Sequence, residues 1–471
     1  MISEIDSGIN LYQIKDFDKI EPFLISLTSS EDYWMYISST GCLTAGKKNA
    51  ETSLFPYDTV NNLHNNAHIT GPITIFRIKT KNNNINLWEP FTQSSSIYKI
   101  NRNLYKNCIG NTIIFEEQNI SLELTFRYQW HISKGFGLVR EASIINYGKN
   151  HYDISILDGL QNIMASGIEL QNLQSMSNLS NAYRYSEILD SSNCAVYSLT
   201  SLLVDTPTPG ESLYANTVWS ISDFKHKISL SPEQIKRFRN NLDFKKNDLI
   251  TGEPGSYLIN INQCIESNNK ISWKIISDLH KSQIDVANLD YMIRYDSNLN
   301  QKVIDGICLD SFNLEKYIGN ADGFQCTQKT INDMHHTANV LYNVMRGGIL
   351  FNDYNVDEND FSNFIKIRNK KLYDIYKNKI KKINNHYSII DLVKLAESTN
   401  DPSFIRLCYS YIPITFGRRH GDPSRPWNQF EIIVKDKLDK QRLYYEGNWR
   451  DIFQNWEALS ISYPLALESM L

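Results

Sequence analysis

The 471-residue sequence predicts a two-part β + α chain, with antiparallel sheet first and helices after. Three observations carry that prediction. Apolar residues alternate with a period of two from about residue 30 to 300. A stretch rich in Asp, Asn, Gly and Cys follows at 301–327. From 328 onward the apolar period becomes about 3.6. The division expected from them is a β domain at 1–300, a linker at 301–327 and a helical domain at 328–471.

In the β part, residues 121–130 alternate without a fault. Leu122, Leu124, Phe126, Tyr128 and Trp130 share one face, and polar side chains take the other. Further strands are expected at 73–79, 113–117, 137–146, 153–157, 212–220 and 271–276, parted by turn-forming Asn, Gly, Ser and Asp clusters. One helix interrupts them at 231–240, where Ser231 caps and Pro232 opens the first turn. So many strands must pack as two large sheets or close on themselves. A sandwich of two antiparallel sheets, each with one wet face, is expected.

In the helical part, Ile331, Met334, Ala338, Leu341, Tyr342 and Met345 form one stripe, stopped by Gly347-Gly348. Phe361, Phe364, Ile365, Leu372, Ile375, Tyr376 and Ile380 form the next. It reads as one helix whose basic outer face, residues 366–382, is solvated. Shorter helices are expected at 389–397 and at 403–410, the second opened by Asp401-Pro402.

Net charge is −4 and the basic residues are spread along the chain, which argues against nucleic acid as the main partner. Residues 1–8 carry no basic n-region, and no eighteen apolar residues run together, so a cytoplasmic protein that does not enter a membrane is expected. The seven cysteines lack Cys-x-x-Cys spacing and read as small buried hydrophobes; no zinc site is indicated. His335-His336 is the one adjacent histidine pair. Neighbours on a helix diverge, so no metal is expected there.

Polar chemistry concentrates near the C-terminus. The run Thr415-Phe-Gly-Arg-Arg-His-Gly-Asp-Pro-Ser-Arg-Pro-Trp-Asn428 contains Gly and Pro that forbid a regular helix, leaving a rigid loop. Beyond it, Asn448 can cap a helix that buries Trp449, Ile452, Phe453, Trp456 and Leu459. Arg450, Asp451, Gln454 and Asn455 then share its other face. Two readings of Asp451 stay open. It is the third-position carboxylate of a helix start, or part of a hydroxyl-reading stripe with Arg450 and Gln454.

The run Asn448-Trp-Arg-Asp-Ile-Phe-Gln-Asn455 resembles the Gly-Tyr-Arg-Asp-x-x-Gln-Asp signature of inverting glycoside phosphorylases of the cellobiose phosphorylase and cyclic β-1,2-glucan synthase type. It departs where Asn448-Trp449 replaces Gly-Tyr and Asn455 replaces the final Asp. The resemblance implies that Arg450 and Asp451 bind hydroxyls of the sugar whose bond is broken. It also implies a galactose-mutarotase-like β super-sandwich followed by an (α/α)6 barrel. About five helices are countable where such a barrel needs twelve, so the barrel is expected to be incomplete, through truncation or with the missing wall supplied by another chain of a homo-oligomer or complementing protein. Trp34, Tyr36 and Trp88 then have two roles open, stacking on sugar rings or packing in the core, the latter being the commoner.

Phosphorolysis needs one carboxylic acid and a phosphate site opposite it, and phosphate replaces the activated water. The family's offset puts the general acid beyond Leu471; within the chain the alternatives are Glu446, Asp451 and Glu457. Pocket candidates beside Arg450, Asp451 and Gln454 are Arg419, His420, Asp422, Arg425 and Trp427. Arg418, Arg419, Arg425 and His420 could clamp phosphate. Alternatively, Asp422 pairs with one arginine and Trp427 stacks on another, so that the loop only shapes the mouth. An oligosaccharide or glucoside substrate is expected, with no cofactor other than phosphate as co-substrate. The competing functions are an inverting glycoside hydrolase on the same fold and a non-catalytic glycan-binding or scaffold protein.

Overall fold

Strand Leu124–Ser133 reproduces the alternation read from residues 121–130: Leu124, Phe126, Tyr128 and Trp130 are each at most 3% exposed. In the computed structural model, residues 2–5, 9–79, 85–190, 192–203, 210–320, 323–345, 349–350, 354–383 and 387–415 are described, with scattered positions beyond. Two units result, one built mainly from residues up to 311 and the other mainly from 312 onward.

Among the described residues the first unit holds three antiparallel sheets. Eleven strands run in the order Ile2–Ile5, Ile9–Lys15, Ile100–Asn107, Ile113–Asn119, Leu124–Ser133, Gly137–Asn146, Lys270–Ser282, Tyr214–Ser222, Ala195–Leu199, Arg184–Ile188, Leu249–Thr251. Five follow the order His226–Ser229, Gly255–Ile265, Tyr152–Ile163, Gly71–Lys79, Ile85–Trp88, and four the order Leu24–Leu27, Tyr33–Ser38, Leu43–Lys47, Ser53–Phe55. One apolar cluster draws on all three sheets. Across it Phe76 meets Phe126 with ring centroids 5.2 Å apart, in an edge arrangement that favours aromatic pairs.

The expectation of one wet face per sheet is corrected. Helix Gln283–Tyr295 and the start of helix Leu299–Asn320 cover the second face of the eleven-stranded sheet, packing Leu289, Leu299 and Val303 on Val139, Trp219 and Ile276. The signal lay in consecutive apolar residues, Leu138-Val139, Val218-Trp219 and Ile275-Ile276, which load both faces of their strands. Helix Glu233–Arg239 packs Ile235 and Phe238 on the outer face of the five-stranded sheet. Trp34, Tyr36 and Trp88 are core residues, 2%, 7% and 0% exposed, and do not offer an aromatic face.

The linker read at 301–327 is also corrected. Leu299–Asn320 is a 22-residue helix burying Leu299, Val303, Asp310, Leu314 and Ile318 at helical spacing. Its apolar stripe is thin, which is why composition pointed to a loop. Gly306 permits close approach to the strand end: a Cβ there would stand 2.2 Å from Ser133 Oγ.

In the second unit, helix Thr330–Met345 is followed by Glu358–Arg368, Lys370–Ile380, Ile389–Glu397 and Pro402–Tyr409. The single helix expected over 361–380 is two. Asn369 leaves helical geometry at φ −155° and accepts from the Leu372 amide at 3.2 Å, capping the second. Ile331 and Ile375, assigned to buried stripes, are 74% and 65% exposed. The two short helices start as read, Ser388 forming a capping box with Asp391 and Asp401 accepting from Ser403 and Phe404. Val356, Phe361, Ile365, Leu372, Ile380, Leu392 and Phe404 close a core of their own. At its base Ile349 pairs with Thr415 and Leu350 with Ile414.

Cys42, Cys194 and Cys408 are buried, but Cys108, Cys264, Cys308 and Cys326 are exposed, against the expectation of uniformly buried thiols. No helix among the described residues is long and apolar enough to cross a membrane.

Candidate functional site

The residues predicted to bind substrate, Arg419, His420, Asp422, Arg425, Trp427, Arg450, Asp451 and Gln454, all lie outside the described residues, as do Glu446 and Glu457. The described residues instead enclose a site of which the sequence reading gave no account. A cavity of about 710 Å3 in the first unit is lined by segments 17–22, 39–41, 65–68, 72–74 and 89–93 together with Arg102, Tyr128, Arg140 and Arg239. That volume falls within the range of about 300–1,000 Å3 typical of small-molecule sites.

Arg140, in its lining, is one half of a buried ion pair. Arg140 and Asp158, facing each other from strands Gly137–Asn146 and Tyr152–Ile163, are both 0% exposed. The guanidinium donates to both carboxylate oxygens, at 2.5 and 2.9 Å. Thr74 Oγ1 donates to Asp158 at 2.5 Å and Trp273 Nε1 at 2.6 Å, so the carboxylate takes four hydrogen bonds. Arg140 also lies over the Tyr128 ring, 4.8 Å from its centroid, and burial raises the Tyr128 phenol well above its ordinary pKa.

A second buried carboxylate organises the wall. Glu117 accepts from Trp88 Nε1 at 2.7 Å, from the Phe91 amide at 2.6 Å and from Arg102 Nε at 2.8 Å. Arg102 donates onward to the Thr92 carbonyl at 2.7 Å and to Ser95 Oγ at 2.8 Å. Phe91 sits at φ 63°, where a bulky side chain is rarely found, and its bond to Glu117 fixes it there. At the rim Arg239 holds Glu89 by two bonds, Nη2 at 2.5 Å and Nε at 3.1 Å. No group of three or more His, Cys, Asp or Glu side chains placed to hold a metal occurs among the described residues.

A signal for this site existed in the sequence. Arg140 follows Leu138-Val139 directly and Asp158 follows Ile156-Leu157, and a charge that continues a run buried on both faces is retained only with its partner beside it.

No curated protein sequence matches the chain. Among solved structures, a human-microbiome protein described as a kojibiose phosphorylase aligns at 9% identity over 67% of this chain and 38% of its own, with TM-score 0.37. A bacterial glucoamylase complexed with acarbose aligns at 9% identity over 97% of this chain and 70% of its own, with TM-score 0.33. The family GH92 α-mannosidase of Bacteroides thetaiotaomicron aligns at 6% identity over 52% and 28%, with TM-score 0.26. The chain thus spans less than two-fifths of the length of the first of these. All three are too distant to carry a functional argument. The helices from Glu358–Arg368 to Pro402–Tyr409, expected in the barrel wall, lie within a stretch that a family model matches. Residues 351–413, bracketed by the strand pair 349–350 and 414–415, match the glycoside hydrolase family 149 insertion domain 1.

Proposed function

We propose that the chain is part of a carbohydrate-active protein of the inverting glycoside phosphorylase type, cleaving β-glucosides with phosphate to release sugar 1-phosphate. The observation that carries this reading is the match of residues 351–413 to an insertion domain of a glycoside hydrolase family. The resemblance of the run Asn448–Asn455 to the phosphorylase signature is its second support. In this reading the first unit is a β super-sandwich. Helix Thr330–Met345 and the segment after residue 415 contribute to an (α/α)6 barrel, with residues 351–413 inserted between them.

Arg450 and Asp451 hold donor-sugar hydroxyls: the guanidinium offers a planar fork of donors and the carboxylate accepts, so together they read a pair of adjacent hydroxyls. Gln454, one turn on, adds an amide. The loop carrying Arg419, His420, Asp422, Arg425 and Trp427 shapes the pocket, and the general acid comes from outside residues 1–471. Attack by phosphate inverts the anomeric carbon and needs no basic carboxylate, whereas an inverting hydrolase requires a second carboxylate about 6.5–9.5 Å from the acid.

Calorimetric titration with cellobiose tests the donor site. Asp451→Ala is expected to remove one equivalent of bound sugar per chain, and unchanged stoichiometry refutes the assignment. The full-length protein is expected to release sugar 1-phosphate from a β-glucoside only in phosphate buffer. Equal release of free sugar without phosphate overturns phosphorolysis.

A further inference from the structure

The cavity in the first unit has three features that fix the chemistry of what it holds. The first is charge balance. Arg102, Arg140 and Arg239 would suit an anion, but each already faces a carboxylate, Glu117, Asp158 and Glu89. An incoming phosphate would meet these carboxylates as well as the cations, and would have to break a satisfied pair to gain one. A neutral ligand meets no such cost.

The second is unspent hydrogen-bonding capacity. Arg140 is fully buried and in the wall of the cavity, yet its Nε has no hydrogen-bond partner among the described residues. A buried guanidinium donor left unmatched costs free energy that a ligand oxygen would recover. Glu89 and Arg239 at the rim present a carboxylate and a guanidinium side by side, an acceptor and donor pair matched to vicinal hydroxyls.

The third is the apolar surface interleaved with these groups: Phe17, Phe91 and Tyr128 contribute to the same wall. Phe91 is held at φ 63° by Glu117, so its position is enforced rather than relaxed. Gly41, at φ +99°, keeps the neighbouring wall bare, since a Cβ there would stand 3.4 Å from the Tyr128 hydroxyl. Alternating aromatic faces with donor and acceptor pairs suits a molecule that has C–H faces and a hydroxyl edge.

We propose that this cavity is a binding site for a neutral, hydroxyl-rich ligand of one or two pyranose rings, assembled from residues of the first unit. Phe17 and Phe91 cover ring faces beside the edge of Tyr128, whose own faces are taken by Phe115 and Arg140, while Arg140 Nε and the Glu89–Arg239 pair engage hydroxyls. The site rests on the cavity's own chemistry and not on Arg450 or Asp451. It therefore stands or falls separately from the donor-site reading, and it gives the chain a second hold on carbohydrate.

The experiment uses the full chain carrying Asp451→Ala, so that any sugar bound there is bound elsewhere. Cellobiose and glucose are titrated calorimetrically, with inorganic phosphate as the anionic probe. One equivalent of sugar is expected to bind. Ala67→Trp, which fills the cavity from a half-buried wall position, is expected to weaken that binding at least tenfold with an unchanged far-ultraviolet spectrum. Tyr128→Phe, which keeps the ring, is expected to weaken it less than Ala67→Trp does. Absence of sugar binding in the Asp451→Ala chain overturns the proposal, as does binding that survives Ala67→Trp. Phosphate binding that Ala67→Trp abolishes would overturn the neutral ligand class. A donor site that fails while cavity binding persists leaves this inference intact, and the two failures are read from different variants.

Discussion

Asp158→Asn is the sharpest perturbation of the first unit. Asp158 is 0% exposed and accepts from Arg140, Thr74 and Trp273, so the near-isosteric amide leaves volume unchanged while stripping the charge that neutralises a fully buried guanidinium. The amide nitrogen would also point donor at donor in at least one of the four contacts. Breaking one side of a buried pair costs about 3–5 kcal/mol, because the orphaned charge cannot reach water. Replacing both partners by apolar residues of similar volume removes the charge and the need for its partner, and such swaps are often neutral. Arg140→Met/Asp158→Leu is therefore expected to be more stable than Asp158→Asn alone, although Thr74 and Trp273 each lose an acceptor worth about 1 kcal/mol. Urea unfolding followed by tryptophan fluorescence, which includes Trp273 itself, measures both. A cost below about 1 kcal/mol for Asp158→Asn, or a double variant as unstable as the summed singles, would refute the claim that the pair is held by mutual neutralisation.

Asn369→Ala removes the cap that starts helix Lys370–Ile380 and is expected to cost about 0.5–2 kcal/mol in chemical unfolding followed by circular dichroism, whereas Asn369→Ser recovers most of it. Gly159→Ala places a Cβ 2.0 Å from the Tyr257 carbonyl oxygen, between paired strands, and should cost about 1–3 kcal/mol or more in thermal unfolding. Burial lowers the His131 pKa to about 4, below its ordinary 6.5, so the unfolded chain binds the extra proton between those values. Stability is then expected to fall as pH drops from about 6.5 towards 4, and His131→Asn should flatten the melting temperature across that window. Deleting residues 351–413 and joining the strand pair 349–350 and 414–415 by two glycines should leave the first unit's melting transition within a few degrees of the parent, since paired residues lie about 5 Å apart. Loss of that transition would show that the inserted helices are needed for the first unit to fold.

Period-two alternation located strands well because a residue pointing into a shared core must be apolar at every second position. Strand Gly137–Asn146 even has the ends read from the residues. The same periodicity hid the covering helices. Gln283–Tyr295 has Leu289 and Asp290 as its buried positions, so its stripe is too thin to register, although Ser282 and Asp285 form a capping box that marks its start. The cavity stayed invisible for a different reason. Its parts come from residues 17–22, 89–93, 128, 140 and 239, and no local window brings together side chains separated by that much chain. Arg140 after Leu138-Val139 and Asp158 after Ile156-Leu157 pointed there, but a charge on a sequence line gives no address for its partner.

The insertion changes what a helix count means. About five helices after residue 328 looked like the opening wall of one ring, yet the three read at 361–380, 389–397 and 403–410 form four helices, from Glu358–Arg368 to Pro402–Tyr409, that share a core and lie within residues 351–413. Most of their apolar stripes close on one another, although Ile367, Ile375 and Ile390 remain exposed. Ile349–Leu350 and Ile414–Thr415 pair antiparallel, which brings the two ends of the excursion together. Read through that pairing, helix Thr330–Met345 is followed in the host chain by the segment that opens the arginine-rich run at Phe416. Residues 351–413 before it pack a core among themselves, and their lysine-rich surface tells nothing about the pocket that Arg419 and Asp422 are proposed to shape.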